Sequence, residues 1–149
     1  MLEQKLEQDI KSALLSGDKI TVTTLRGLKA KLLNIKVASG KRDSGLDDEE
    51  VITAFAKEAK QRQESADLYI QGGDKTRAEA ELKEKAIIEA YLPKQLSDTE
   101  ISEAIEAAIK ELDVTDVSRM GQVIGQVKSK LGATADGSVI ARLTKERLQ

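Results

Sequence analysis

The sequence contains neither cysteine nor histidine, and each absence removes a class of chemistry. Without histidine there is no imidazole base and no imidazole metal ligand. Without cysteine there is no thiol nucleophile, no disulfide and no thiolate zinc site. We therefore expect no metal site and no cofactor, and we assign no catalytic residue.

Aromatic residues make up 2% of the 149 residues, so the core must be built from aliphatic side chains. Charged residues make up 34%, which is typical of exposed helices with narrow apolar stripes. The net charge of −2 argues against a general polyanion binder but allows a local basic face. No stretch approaches the roughly 20 apolar residues of a membrane span, and no signal-peptide core is visible. We expect no membrane contact and a cytoplasmic location.

Pro93 is the only proline, and it divides the chain. Proline lacks the backbone N–H and clashes with the preceding turn, so the helical pattern before it must end there. Ser97 and Glu100 then form the Ser-x-x-Glu pattern of a capping box, which starts a new helix. We predict an N-terminal unit over residues 1–93 and a C-terminal unit over 94–149.

Apolar residues at three-four spacing predict an all-α fold, with a four-helix bundle or hairpin followed by a small three-helix domain. The longer middle pair of the first four helices is expected to form a protruding hairpin. The fourth helix is predicted to bury Ala78, Leu82, Ala86 and Ala90, and the sixth Met120, Ile124, Val127 and Leu131. The predicted helices span about 2–16, 19–38, 47–71, 75–91, 98–112, 117–130 and 137–148.

Several stretches of the sequence resemble the GatB/YqeY-domain proteins of bacteria, specifically the stand-alone YqeY-like members. The most specific of them are the run from Glu89 to Ser97, which reads Glu-x-Tyr-Leu-Pro-x-Gln-Leu-Ser, and the Met-Gly-x-Val-x-Gly motif from Met120 to Gly125. The others are Asp18-Lys19, Thr24-Leu25-Arg26, Leu28-Lys29-Ala30, Lys57 to Arg62 with Ser65, and Ala135-Asp136-Gly137.

The resemblance implies an N-terminal helical bundle and a C-terminal domain similar to the tail of the B subunit of the tRNA-dependent amidotransferase. In that enzyme the tail helps hold the outer corner of the tRNA, while amide transfer occurs elsewhere. A label of carbon–nitrogen ligase with glutamine as amide donor can therefore accompany this family without an active site. Glutamine hydrolysis needs a cysteine or an activated serine beside an oxyanion hole, and no such arrangement is visible.

Acidic and basic residues are unevenly distributed along the C-terminal segment. Residues 116–149 hold six basic and three acidic side chains, whereas residues 94–115 hold two basic and six acidic. A basic face suits contact with RNA phosphates, and no aromatic residue is interleaved to stack on bases. An ordinary solvated surface explains the same pattern about equally well. The candidate RNA-binding residues are Arg119, Gly121, Gly125, Lys128, Lys130, Arg142 and Lys145.

Gly121 and Gly125 lie four residues apart on one helix face, where two glycines lower helix propensity. We favour close packing against another helix of the same domain as the explanation. The alternative is that the bare backbone admits an RNA backbone beside Lys128.

Basic residues of the second and third helices form a candidate surface for a protein partner, such as an amidotransferase or the aminoacylation machinery. Arg62 occupies a position in an apolar seam, and we favour its being half-buried and paired with a carboxylate. Three hypotheses follow: a tRNA-associated accessory module, a helical adaptor between proteins and, least supported, an amidotransferase-like enzyme. The candidate partner-binding residues are Lys19, Arg26, Lys29, Lys60 and Arg62.

Overall fold

The computed structural model describes residues 1–149 and contains seven α-helices and no strand, so the all-α prediction is confirmed. Two compact units, Met1–Leu92 and Pro93–Gln149, divide the chain. None of the helices combines the length and apolar character that crossing a bilayer requires. The helices are α1 (Leu2–Ser16), α2 (Lys19–Ala38), α3 (Asp48–Gln71), α4 (Lys75–Glu89), α5 (Asp98–Leu112), α6 (Met120–Leu131) and α7 (Gly137–Leu148).

The helix boundaries follow the capping residues. The side chains of Asp47 and Ser97 each accept the amide of the third helical residue, and Glu50 and Glu100 complete two capping boxes. The predicted sixth helix is instead a 3-10 turn over Val117–Arg119 followed by α6.

The core of the first unit is mainly aliphatic and closes around two rings. Leu25 and Leu28 of α2 are 1% exposed, and Phe55 of α3 lies among them. The ring of Tyr91 meets that of Phe55 edge to face, with centroids 5.5 Å apart. The hydroxyl of Tyr91 donates a hydrogen bond to Asp9, so the residue beyond the end of α4 binds both α1 and α3. Burial, and then the hydrogen bond to Asp9, raise the pKa of Tyr91.

The closest helix pair of this unit is α3 with α4, joined by a short turn at Gly72 to Asp74. The prediction that the middle pair, α2 and α3, forms the hairpin is therefore wrong. Loop length explains the difference, because the connection between α2 and α3 is longer. Toward the turn the buried residues of the hairpin are alanines, Ala66 at 0% and Ala78 at 2% exposed, so the two backbones approach closely there.

The buried stripe of α4 is also not the predicted one. Ala78 is buried, but Leu82, Ala86 and Ala90 are exposed, and Ile88 is fully buried instead. The physical reason is that α4 turns a polar side toward α3. Glu84 accepts a hydrogen bond from Arg62, and the adjacent Lys85 donates one of 2.8 Å to Gln63.

The second unit packs three amphipathic helices around a small aliphatic core. In α6 the predicted Val127 is fully buried, but Val123, which was not predicted, is fully buried too, and Met120, Ile124 and Leu131 are only half-buried. The apolar face of α6 is wide, and the packing of α5 and α7 selects its centre. The core residues are Ile101, Ile105, Ala108, Val114, Val123, Val127 and Ile140.

Glu3 of α1 anchors the loop between α2 and α3. Its carboxylate accepts the amide of Leu46 at 2.8 Å and the ammonium of Lys36 at 2.6 Å. Burial opposes the ionisation of Glu3, but the bonds from Lys36 and Leu46 together lower its pKa below the usual value of 4.5.

Replacing Glu3 by glutamine should weaken this anchor. We expect the free energy of unfolding in urea at pH 7 to fall by about 1 to 2 kcal/mol, because a charge-assisted bond is lost. A lowered folded-state pKa stabilises above the unfolded pKa of 4.5, and this contribution disappears as the pH falls through the folded value. The variant should therefore lose less stability than the wild type below pH 4.5. Glu64→Gln, at an exposed site on α3, is the control, and an equal cost there would contradict the anchor.

Independent folding of the two units, with a boundary near Pro93, stays a prediction. Brief trypsin treatment should cut after the exposed Lys94, because it lies between α4 and α5, just before Gln95 and Leu96 bond to the carbonyls of Ala133 and Thr134. Mass spectrometry should identify the 95–149 fragment, and circular dichroism should show it to be helical with a cooperative melt. Release of an unfolded fragment would contradict two independent domains.

Candidate nucleic-acid interface

One face of α6 leaves the helix backbone uncovered. Gly121 and Gly125 are exposed, and a β-carbon built at either position meets no other heavy atom within 4 Å. The interpretation that these glycines pack against a neighbouring helix is therefore wrong. Each costs about 1 kcal/mol of helix stability relative to alanine, and no contact within the protein offsets that cost.

Lys128 lies one turn beyond Gly125 on the same face and forms no ion pair. Its side chain passes over Gly137 at the start of α7, where a β-carbon would collide with the end of the lysine. Asp136 begins α7 by accepting the amide of Ser138 at 2.8 Å. Lys128, three residues beyond the Met-Gly-x-Val-x-Gly motif, therefore lies against the glycine of the Ala-Asp-Gly motif. A larger residue at 137 would collide with the lysine side chain in this position.

Arg119 binds the carbonyl groups at the C-terminal end of α5. Its guanidinium donates to the carbonyl oxygens of Asp113 at 3.1 Å and Leu112 at 3.3 Å, and to the side chain of Gln122 at 3.0 Å. These carbonyls carry the negative end of the α5 dipole, so a cation there stabilises the helix. Arg119 is thus occupied within the second unit.

Other basic residues of α6 and α7 pair with the acidic helix α5. The Lys130 ammonium lies 3.3 Å from Glu111, and the Arg142 guanidinium lies 3.0 Å from Asp98 at the start of α5. Hydrogen bonds to Asp98 and then Glu146 raise the pKa of Arg142. The opposite charges of residues 94–115 and 116–149 thus partly neutralise each other between helices.

The structure therefore separates the seven candidate RNA-binding residues into two groups. Arg119, Lys130 and Arg142 are occupied by partners within the unit. The remaining four are exposed, and the two lysines among them form no ion pair: Gly121, Gly125, Lys128 and Lys145.

The candidate partner-binding residues of the first unit do not form one free surface. Lys29 of α2 pairs with Glu7 of α1 at 2.6 Å, and Lys60 is exposed on α3. Arg62 lies between α3 and α4, with its side chain 26% exposed. Lys19 and Arg26 are exposed on α2 and form no ion pair.

The half-buried, paired Arg62 that the sequence favoured is confirmed. Its Nε atom lies 2.8 Å from Glu84 and 3.7 Å from Glu81, both on α4. A terminal nitrogen lies 3.6 Å from Glu58, a carboxylate that is also 3.3 Å from Lys31. Sequence reasoning missed Glu58, which is 8% exposed, although its position four residues before Arg62 is a recognisable signal.

No group of three or more acidic side chains is placed to hold a metal ion. The hydroxyl of Tyr91, whose pKa is raised by burial and by its bond to Asp9, is a donor within the core of the first unit. Exposed cations beside bare helix backbone are what the second unit offers to a ligand.

Known relatives include three fungal proteins, each named "Altered inheritance of mitochondria protein 41, mitochondrial". The one from Eremothecium gossypii is 32% identical over 74% of this chain and 60% of its own length. The one from Kluyveromyces lactis is 29% identical over 84% of this chain and 68% of its own, and that from Clavispora lusitaniae is 28% identical over 89% and 78%. This chain thus spans less than two thirds of the Eremothecium relative.

The predicted cytoplasmic location is contradicted by these relatives, whose names place them in mitochondria. The prediction failed because it rested on two absences, that of a membrane span among the helices and that of a signal-peptide core. Neither property reports the compartment in which those helices work.

The family assignment rests on nearly the whole chain. A family model described as "Yqey-like protein" matches residues 3–148, which include both helical units and the Met-Gly-x-Val-x-Gly and Ala-Asp-Gly motifs. The match agrees with the resemblance carried by the proline signature around Pro93. The chain therefore belongs to the Yqey-like protein family.

Proposed function

We propose that this protein is a tRNA-associated accessory module that holds tRNA through its C-terminal unit and has no catalytic centre of its own. The observation that carries the proposal is the uncovered face of α6, where Gly121 and Gly125 leave the backbone bare beside the unpaired Lys128. Family membership supports it, because the family resembles the amidotransferase tail that holds the corner of tRNA.

The bare face suits a sugar–phosphate backbone. Two adjacent glycines on the exposed face let a strand approach the helix more closely than side chains would permit. Lys128 then lies within the same face to contact a phosphate, and Lys145 adds a second unpaired cation on α7. With no aromatic residue in this unit beyond the Pro93 boundary, recognition would use shape and phosphate contacts rather than base stacking.

The mitochondrial names of the relatives bear on which RNA to test. We include tRNA from mitochondria as well as bulk bacterial tRNA, because the relatives are named mitochondrial proteins. An amidotransferase or the aminoacylation machinery remains our proposed partner class. An amidotransferase-like activity of the isolated chain is less well supported, because neither a thiol nor a base-activated serine is present.

Replacing Lys128 and Lys145 together by alanine should weaken tRNA binding in a salt-dependent way. Each phosphate contact contributes about 0.7 to 0.9 to the slope of log affinity against log salt, so the slope should fall by about 1.4 to 1.8. Fluorescence anisotropy with labelled tRNA at several salt concentrations measures it.

The matched control is the Lys130→Ala, Arg142→Ala variant, which removes two charges that already pair with carboxylates. Its salt slope should stay close to that of the wild type. Equal losses in both variants would contradict the division into occupied and available cations. If the wild type binds neither tRNA pool at low ionic strength, the proposal fails.

Gly125→Leu separates docking from packing. Because a β-carbon at 125 meets open space, the variant should melt at or above the wild-type temperature, leucine being the better helix former. Its tRNA affinity should nevertheless fall, because the leucine blocks approach to the helix. Ala107→Leu, at an exposed site on α5, is the control for added bulk, and both variants are compared by calorimetry and anisotropy. A lower melting temperature for Gly125→Leu alone would restore the packing interpretation.

A further inference from the structure

The helix α2 carries two stripes, and only one of them is buried. The buried stripe contributes Leu25, Leu28 and Leu32 to the core. A second stripe runs along the opposite side with alternating steps of three and four residues, and every member is exposed and uncharged. We call it the outer seam: Ile20, Thr23, Gly27, Ala30, Asn34 and Val37.

The outer seam exposes two large apolar side chains. Ile20 is 51% exposed and Val37 is 58% exposed, and the neighbouring Leu33 is 45% exposed. The alternating three-four spacing is that of positions a and d in a coiled coil. At the centre, a β-carbon on Gly27 would meet nothing within 4 Å, so a second helix could approach closely.

The seam is flanked by cations. With Ile20 at position a, Lys19 and Arg26 fall at successive g positions and Lys31 at an e position. Lys31 already pairs with Glu58, whereas Lys19 and Arg26 form no ion pair. Positions e and g of a coiled coil select partners by opposite charge.

At its first turns the seam forms one wall of a groove of 410 Å³, whose other wall is α4. Ile20 and Ala80 give the groove an apolar surface, and Lys83 adds a third cation without an ion pair. Its carboxylates are Glu84, which Arg62 holds, and Glu79. Lys19, Arg26 and Lys83 thus outnumber Glu79 among the unpaired charges along this side.

From these observations we propose that the outer seam docks an amphipathic helix of a partner protein, with aspartate or glutamate flanking its apolar stripe. An RNA strand would not bury Ile20 and Val37, and a second copy of this chain would set Lys19 and Arg26 against like charges. The proposal is independent of the tRNA binding that we propose for the other unit.

Two synthetic three-heptad peptides test the proposal, both with alanine at a and leucine at d. One carries glutamate at every e and g position, and the other carries lysine. The glutamate peptide should bind the full-length protein at least about tenfold more tightly at low salt, and the difference should shrink as salt rises. In nuclear magnetic resonance titrations, the perturbed amides should cluster in α2 and the first half of α4.

Two variants and a control complete the design. Lys19→Glu with Arg26→Glu should invert the peptide preference, and Ala30→Arg should weaken both peptides by placing a long charged side chain in the seam. Lys94→Glu with Lys110→Glu makes the same change of charge in the other unit and should leave peptide binding unchanged.

Equal affinity for the two peptides, no saturable binding, or perturbed amides outside α2 and α4 would overturn the proposal. Dimerisation through the seam in the absence of peptide would overturn it in favour of a second copy. Loss of tRNA binding in the Lys19→Glu, Arg26→Glu variant, with peptide binding intact, would overturn it in favour of RNA.

Discussion

The helices of this protein are held by narrow apolar seams, and charged groups that enter those seams must be paired. Arg62 shows the constraint most clearly, because it lies where α3 meets α4 and an apolar residue would be expected. Glu58, Glu81 and Glu84 surround its guanidinium, and Lys31 also approaches Glu58. A buried charge without such partners would be strongly destabilising. In the register that α4 adopts, Glu81 and Glu84 face Arg62 while Ala78 and Ile88 are buried.

The same constraint separates structural cations from those available to a ligand. Basic side chains such as Lys130 and Arg142 already pair with carboxylates of α5. Two surfaces are not covered by other helices of their own unit: the glycine face of α6 beside Lys128, and the outer seam of α2. One offers bare backbone and a cation, and the other offers apolar side chains between cations. They lie in different units, so the chain could bind an RNA and a protein helix without competition for residues.

Motif residues that mark the family also have local structural roles. Tyr91 of the proline signature contacts Phe55 and bonds to Asp9, which joins the end of α4 to two other helices. Gly137 of the Ala-Asp-Gly motif leaves the space that the Lys128 side chain occupies. A motif residue can therefore serve packing, and a motif residue can also position a candidate ligand-binding group.

Sequence alone determined the helices, since capping residues and glycines act locally: α1, α2, α5 and α7 span the predicted residues, and Ser97 starts α5 as its pattern predicts. Three features were not predictable from the sequence. They are the exposure of Gly121 and Gly125, the choice of which cations form no ion pair, and the choice of which residues of α4 are buried. Spacing places residues on a face, but it does not tell which face a neighbouring helix will cover or which carboxylate will meet a given lysine. Only tertiary packing decided that Ile88 is buried while Ala86 is exposed, and that Gly125 faces open space. The physical reason is that burial and ion pairing depend on residues distant in sequence, whereas helix propensity and capping depend on adjacent ones.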